Sequence, residues 1–297
     1  MAIRIGTASW TDKTLIACGR FYPRGAGTAE GRLRHYASVF PLVELDSSYY
    51  AIPSAANAAR WAERTPDGFT MNVKAFRLFT GHQTPVNVLH ADIRAALGPA
   101  APSTFFYKDM PPELRDELWR RFIEALVPLK AAGRLGLVHF QFAPWVRDGT
   151  ATRAHVAHCV ERLQGHDVSV EFRHASWFAA PRRDATLAFE RELRVAHTVV
   201  DEPQGFGNSV PAVWEATHPQ FALVRLHGRN AATWNIRGEV AASDRFNYDY
   251  PDDELQGLAV PIRQLSQKAA FTHVIFNNNM EDQGQRNALT LMGILGL

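Results

Sequence analysis

The sequence predicts a mixed α/β fold, a (β/α)8 TIM-like barrel, on three observations. Eight short apolar stretches recur along the 297 residues, helical periodicity fills most gaps between them, and polar side chains collect in their carboxyl halves. Strands alternating with helices imply parallel βαβ units, and eight such units close most simply on themselves. About 250 residues is typical for this barrel, so the whole chain, 1–297, reads as one domain.

The strands are read at Ile3–Ser9, Leu42–Ser48, Thr70–Ala75, Leu135–Phe142, Val168–Arg173, Ala196–Asp201, Phe221–His227 and His273–Asn279. Among the crossovers, Ser54 is placed as an N-cap before an Ala-rich helix. Pro111 to Leu129 carries Leu and Arg at i, i+3 and i+4 spacing, and Asp184–Arg194 and Asp252–Lys268 behave alike. Pro261 is expected to kink or interrupt the last of these. Residues 83–110 hold several Pro and Gly and read as a long insertion after strand three, either an extended loop or a small subdomain. Gln204 to Gln220 has no clear helix, so the sixth crossover is expected to be irregular.

Composition narrows the partners. The hydrophobic share of 46% and charged share of 21% are those of a globular protein. A net charge of +2 gives no global field for nucleic acid or membranes, so any anion preference must come from local clustering. No apolar run reaches the roughly 18 residues that span a bilayer, and Met-Ala-Ile-Arg-Ile is not a signal peptide. No membrane partner is expected, and the cytoplasm is the expected compartment. Cys18 and Cys159 have neither metal-type spacing nor a disulfide framework.

Residues two apart in a strand share a face. Glu44, Asp46 and Ser48 should therefore point into the barrel, with Asn72 and Lys74, His139 and Gln141, Glu171 and Arg173, and Leu223, Arg225 and His227. Asp201 ends the sixth strand, and Asn277, Asn278 and Asn279 end the eighth. A purely structural barrel would fill these places mainly with Val, Ile and Leu, and barrel active sites lie at the carboxyl ends of the strands. The expectation is one cavity where Glu171, Asp201 and His227 supply acid–base groups. Glu44, Asp46, Lys74, Gln141, Arg173, Arg225, Asn277 and Asn278 would surround the substrate. The alternative is a buried ion-pair network that only fills the barrel.

The segment Arg225-Leu-His-Gly-Arg-Asn230 leaves the seventh strand, where many barrels build a phosphate site. Arg225 and Arg229 offer guanidinium forks suited to phosphate or carboxylate, Asn230 adds an amide, and Gly228 would let the backbone turn close to a ligand. Lys74 and the downstream His82 would supply further positive charge. Trp10, Tyr49, Tyr50 and Trp177 would form an aromatic rim or else cap the barrel core.

Other chemistries fit less well. Gly-x-Ser-x-Gly is absent, and Gly205-Phe-Gly207 lacks the third Gly of a dinucleotide fingerprint. Metal-dependent isomerisation or endonuclease-like hydrolysis would use Glu171, Asp201 and His227, but interleaved cations oppose a metal. Glycoside hydrolysis would need Glu171 and Asp201 as a suitably separated pair. No metal and no cofactor are therefore expected.

At these motifs the chain resembles the YecE-like family, uncharacterised proteins defined by a domain of unknown function. The matching pieces are Ile5-Gly-Thr-Ala-Ser-Trp10 with Phe21-Tyr-Pro23, Val43-Glu-Leu-Asp-Ser-Ser-Tyr-Tyr50, and Asn72-Val-Lys-Ala-Phe76 with His82. Val170-Glu-Phe-Arg-His-Ala-Ser-Trp177, Val200-Asp201, Val224-Arg-Leu-His-Gly-Arg-Asn230 and Asn277-Asn278 complete them. The resemblance implies a TIM barrel similar in outline to endonuclease IV and sugar-isomerase barrels, and hence a role with nucleic acid. That implication is fold analogy. Asp46 stands where Asn is usual in that pattern and Asn279 where His is frequent, which opposes a trinuclear zinc mechanism.

Two functions from different classes follow. One is an enzyme acting on a phosphorylated or otherwise anionic substrate, a small molecule or nucleic acid. The other is a non-catalytic protein that binds such a ligand in the same pocket.

Overall fold

The structure, a computed structural model, describes residues 2–236 and 242–297. Eight parallel strands close a barrel: β1 (Ala2–Ala8), β2 (Leu42–Leu45), β3 (Thr70–Lys74), β6 (Leu135–Gln141), β7 (Val168–Glu171), β8 (Ala196–Asp201), β9 (Phe221–Leu226) and β10 (Phe271–Phe276). The order around the barrel is β1-β10-β9-β8-β7-β6-β3-β2, so β1 closes against both β2 and β10. No helix among the described residues is long and apolar enough to cross a membrane.

Two apolar layers follow from strand alternation. Ala8, Leu42, Leu137, Ala196, Leu223 and Ile275 pack together as one buried cluster inside the barrel. Val43, Leu45, Val73, Val170, Val199, Val224 and Val274 belong to the larger core between strands and helices. Closure is tight where β1 meets β2: a Cβ on Gly6 would stand 1.8 Å from the Leu42 carbonyl oxygen, so only glycine fits.

The insertion after β3 is small and ordered. Its strands β4 (Thr84–Pro85) and β5 (Thr104–Phe105) pair antiparallel around a helix at Ala91–Leu97. Leu89, Ile93, Phe105 and Met110 join the main core, so this segment packs on the barrel. No helix lies between β8 and β9, and that crossover is irregular as read.

Two expectations change. The helix Asp252–Ser266 runs through Pro261 without a break. The carbonyl that Pro261 leaves without a donor belongs to Gly257, which is exposed and can bond water. Several strands also end earlier than read. After β2 the chain turns into a short helix, Ser47–Tyr50, where Ser48 Oγ lies 2.8 Å from the Leu45 carbonyl and 2.7 Å from that of Lys74. Such side-chain bonds to nearby backbone compete with strand continuation.

Candidate functional site

Register places the deepest polar layer. Glu44 sits beside Asn72, Lys74 beside His139, Gln141 beside Glu171 and Val200 beside Arg225. Fully buried Arg225 binds Glu44 through Nε (3.0 Å) and Nη2 (2.7 Å), and its Nη1 reaches Glu171 (2.6 Å) and Gln141 (3.0 Å). One guanidinium thus holds two buried carboxylates, each bond charge-assisted. Burial alone would raise the Glu171 carboxyl, but Arg225 and neighbouring His227 hold it well below the usual carboxylate range. Burial drives His227 down to about 3, so its ring is neutral near pH 7 despite Glu171 3.5 Å away. Asn277 Nδ2 lies 2.9 Å from His227 Nδ1, which leaves the ring proton on Nε2, facing Glu171.

Arg173 is held less firmly. Its Nη1 donates to Glu171 at 3.2 Å and Nη2 lies 3.3 Å from Glu202, while Nε is buried without a partner. Its guanidinium also packs over the Trp234 ring, 5.0 Å from the centroid.

Above this layer opens a cavity of about 270 Å³. Among the described residues its charged lining is Lys74, Arg173 and Arg245 against one carboxylate, Asp46. Asp46 Oδ1 pairs with Lys74 Nζ at 2.7 Å; burial would raise this carboxyl, but Lys74 lowers it. Arg245 has no carboxylate partner among the described residues. Gln141, Asn208, Asn277 and Asn279 add amides, and Tyr49, Tyr50, Trp145, Trp234 and Phe246 form the walls. His82 lines the cavity too, but it is pushed down to about 3 first by burial and then by Lys74, so it is neutral near pH 7 and does not add the positive charge expected of it. The Thr80 hydroxyl lies 3.1 Å from the Arg77 carbonyl and 2.9 Å from His82 Nδ1. With the hydroxyl proton given to that carbonyl, Nδ1 carries the ring proton and Nε2 keeps a free lone pair. Among the described residues no group of three or more His, Cys, Asp or Glu side chains could hold a metal ion.

The expected convergence is therefore incomplete. Asp46, Tyr50, Lys74, His82, Gln141, Arg173 and Asn277 line the cavity, with Glu44, Glu171, Arg225 and His227 forming the layer around Arg225 beneath it. Asp201 points to the other side of β8, where it accepts Arg229 Nη2 at 2.8 Å and the Tyr250 hydroxyl at 2.7 Å. Arg229 also approaches Glu254 at 3.3 Å, so its charge is already paired. Asn230 is tied to the Asn247 carbonyl at 2.9 Å. Asn278 is fully buried and donates to the Tyr248 carbonyl and to Asn287. Trp177 is core, stacked on Phe172 with centroids 3.6 Å apart. Trp10 lies beneath a separate cavity beside Asp46.

Gly228 has a different reason from the one read in sequence. Its φ is +85°, and a Cβ there would stand 2.4 Å from Tyr248 Cβ, so the close approach is to protein. Gly228→Ala combines left-handed strain with that clash and is expected to cost about 2–4 kcal/mol. Urea titration of the variant checks this; a loss below about 0.5 kcal/mol would show that the turn relaxes freely.

Sequence reading missed Glu202. Alternation from Thr198 through Val200 points to it, one residue past the strand that ended at Asp201. It is buried, accepts the Val210 amide at 2.8 Å through Oε1 and leaves Oε2 without a hydrogen bond. Burial pushes its carboxyl up to about 7 against the pull of Arg173. Trp145, Asn208, Trp234, Arg245 and Phe246 were also missed, because they sit on loops with no periodicity to reveal a direction.

Comparison with known proteins gives a consistent family. A curated relative from Bacillus subtilis (strain 168), the UPF0759 protein YunF, is 31% identical over 297 residues, covering 99% of this chain and 95% of its own. A crystal structure of a DUF72 family protein from Enterococcus faecalis V583 superposes with a TM-score of 0.80 at 26% identity, covering 99% of this chain and 96% of that one. Another from Thermotoga maritima MSB8 gives 0.75 at 26% identity, with both chains fully covered at 100%. Residues 4–297 match the family described as "Protein of unknown function DUF72". The chain belongs to the DUF72 family, the one its strand-end motifs resemble.

Proposed function

We propose that this barrel is an enzyme acting on a small anionic substrate bound at the carboxyl ends of its strands. The observation that carries the reading is the lining: Lys74, Arg173 and Arg245 face a cavity whose one carboxylate among the described residues is Asp46, and among those residues Arg245 has no carboxylate partner. Arg225 and Arg173 together balance Glu44 and Glu171, and Lys74 pairs with Asp46, so the surplus positive charge of the site is that of Arg245. A volume of about 270 Å³ favours a small ligand over a continuous nucleic-acid strand.

In this reading Lys74, Arg173 and Arg245 hold the anion, and Gln141, Asn208, Asn277 and Asn279 bond its remaining polar atoms. Asp46 is the group that exchanges a proton with the substrate. It is ionised, it lines the cavity, and its second oxygen has no partner among the described residues. Glu171 and neutral His227 act as positioning residues that fix Arg173, Arg225 and Asn277.

Calorimetric titration with inorganic phosphate tests the binding half. Arg245→Ala removes one charge-assisted bond, worth about 1.5–3 kcal/mol. Affinity should fall about 10- to 150-fold while the fold stays intact. Equal affinity in wild type and variant would remove the anion reading. Asp46→Asn separates enzyme from binder: it should keep phosphate affinity and lose turnover of phosphate esters, whereas a binder turns over none.

A further inference from the structure

We infer that a second, smaller cavity beside the anion pocket receives an aromatic six-membered ring carried by the same ligand; this rests on the anion-binding reading above. The cavity opens at the carboxyl ends of β1 and β2 and measures about 180 Å³. An apolar cavity of about 150 Å³ is enough to bind benzene. Trp10 and Trp61 form two of its walls, edge to face with centroids 6.3 Å apart and planes at 85°. Leu33 and Leu45 supply apolar surface beside them. A third ring entering here meets a face and an edge, the arrangement aromatic groups prefer at 4.5–7 Å.

Asp46 connects the two compartments. It lines both cavities, with one oxygen on Lys74 and the other unpartnered among the described residues. A ligand that spans them therefore passes over this carboxylate. Ser9 shapes the rim: its φ of +70° is unusual for a residue with a side chain, and the chain continues from it directly into Trp10. Non-glycine strain of this kind persists only where the surroundings impose it, and it clusters at ligand sites. Neither indole N–H is bonded to protein among the described residues, so both remain available to a polar substituent on the ring. The ligand class is an aryl phosphate or a similar aryl anion.

The test compares inorganic phosphate, phenyl phosphate and glucose 1-phosphate by calorimetry on the wild type, Trp61→Ala and Ala29→Phe. Ala29 is exposed and lines this cavity, so Ala29→Phe fills it without disturbing the core. Phenyl phosphate should bind the wild type about tenfold more tightly than phosphate. Both variants should cancel that gain and leave phosphate affinity unchanged. No gain in the wild type, or a gain that survives both variants, would overturn the inference. A gain for glucose 1-phosphate without one for phenyl phosphate would overturn the aryl assignment. If inorganic phosphate fails to bind, the anion reading fails, and phenol quenching of indole fluorescence tests the smaller cavity alone. Quenching abolished by Ala29→Phe retains a ring site there, and no quenching removes it.

Discussion

Arg225→Met is expected to destabilise the protein by about 3–5 kcal/mol, which for a chain of this size lowers the melting temperature by on the order of 10 °C. The cost comes from what is left behind. Glu44 and Glu171 are both fully buried, and Arg225 supplies two bonds to the first and one to the second. Without it, Glu44 loses both of its bonds from Arg225 and Glu171 keeps only the longer one from Arg173, so the two buried carboxylates must either stay ionised with poor compensation or take up protons. The companion variant Glu44→Gln/Glu171→Gln/Arg225→Met removes all three charges and should recover much of the loss, since a buried ion network often adds little net stability. Chemical denaturation of the wild type and both variants decides it. A loss below about 1 kcal/mol in the single variant would mean that the carboxylates are already neutral or hydrated.

Glu202→Gln should remove one contribution to stability that falls as pH rises from about 4.5 to 7. The Glu202 carboxyl stands at about 7 in the folded protein against an ordinary 4.5, because burial disfavours its charge more than Arg173 favours it. Folding therefore binds a proton at this position. The contribution is fully present below about pH 4.5 and is lost as pH rises through 7. Going from 4.5 to about 7 corresponds to about 3 kcal/mol. Denaturant midpoints at pH 5, 6.5 and 8 should show the wild type losing stability relative to the variant as pH rises. A difference that stays constant with pH would locate the titration elsewhere. His227 and His82, held at about 3 in the folded protein against an ordinary 6.5, add a slope that rises with pH below 6.5, but they add it to both proteins alike, so the difference between them reports Glu202.

How much of this was legible in the sequence depends on the kind of element. Alternation in a strand is strict, so Glu44, Lys74, Glu171, Arg225 and His227 could be assigned a direction with no structure at all. Asp201 is misplaced when it is read as a strand-end polar residue without following the face that Thr198 and Val200 define. Arg229 and Gly228 looked like a ligand loop because their chemistry suits one, but Asp201 and Tyr248 use that chemistry within the protein. Trp177 followed a strand end like the true wall residues. Only the partner beneath it, Phe172, distinguishes a core indole from a rim indole. The cavity residues on loops, Trp145, Trp234, Arg245 and Phe246, have positions set by tertiary contacts that no local period encodes.

Closure of the barrel also bears on how this protein can meet other chains. Each of the eight main strands is hydrogen-bonded on both sides, so the large sheet offers no free edge for another strand to join. The free edges among the described strands belong to β4 and β5, each two residues long, and Pro85 in β4 has no N–H to donate. Templated strand addition, the usual route from an open sheet to aggregates, has only these two-residue edges to extend among the described residues. The rest of the described surface that another chain could meet is side chains on helices and loops, where single substitutions can change it without touching the barrel.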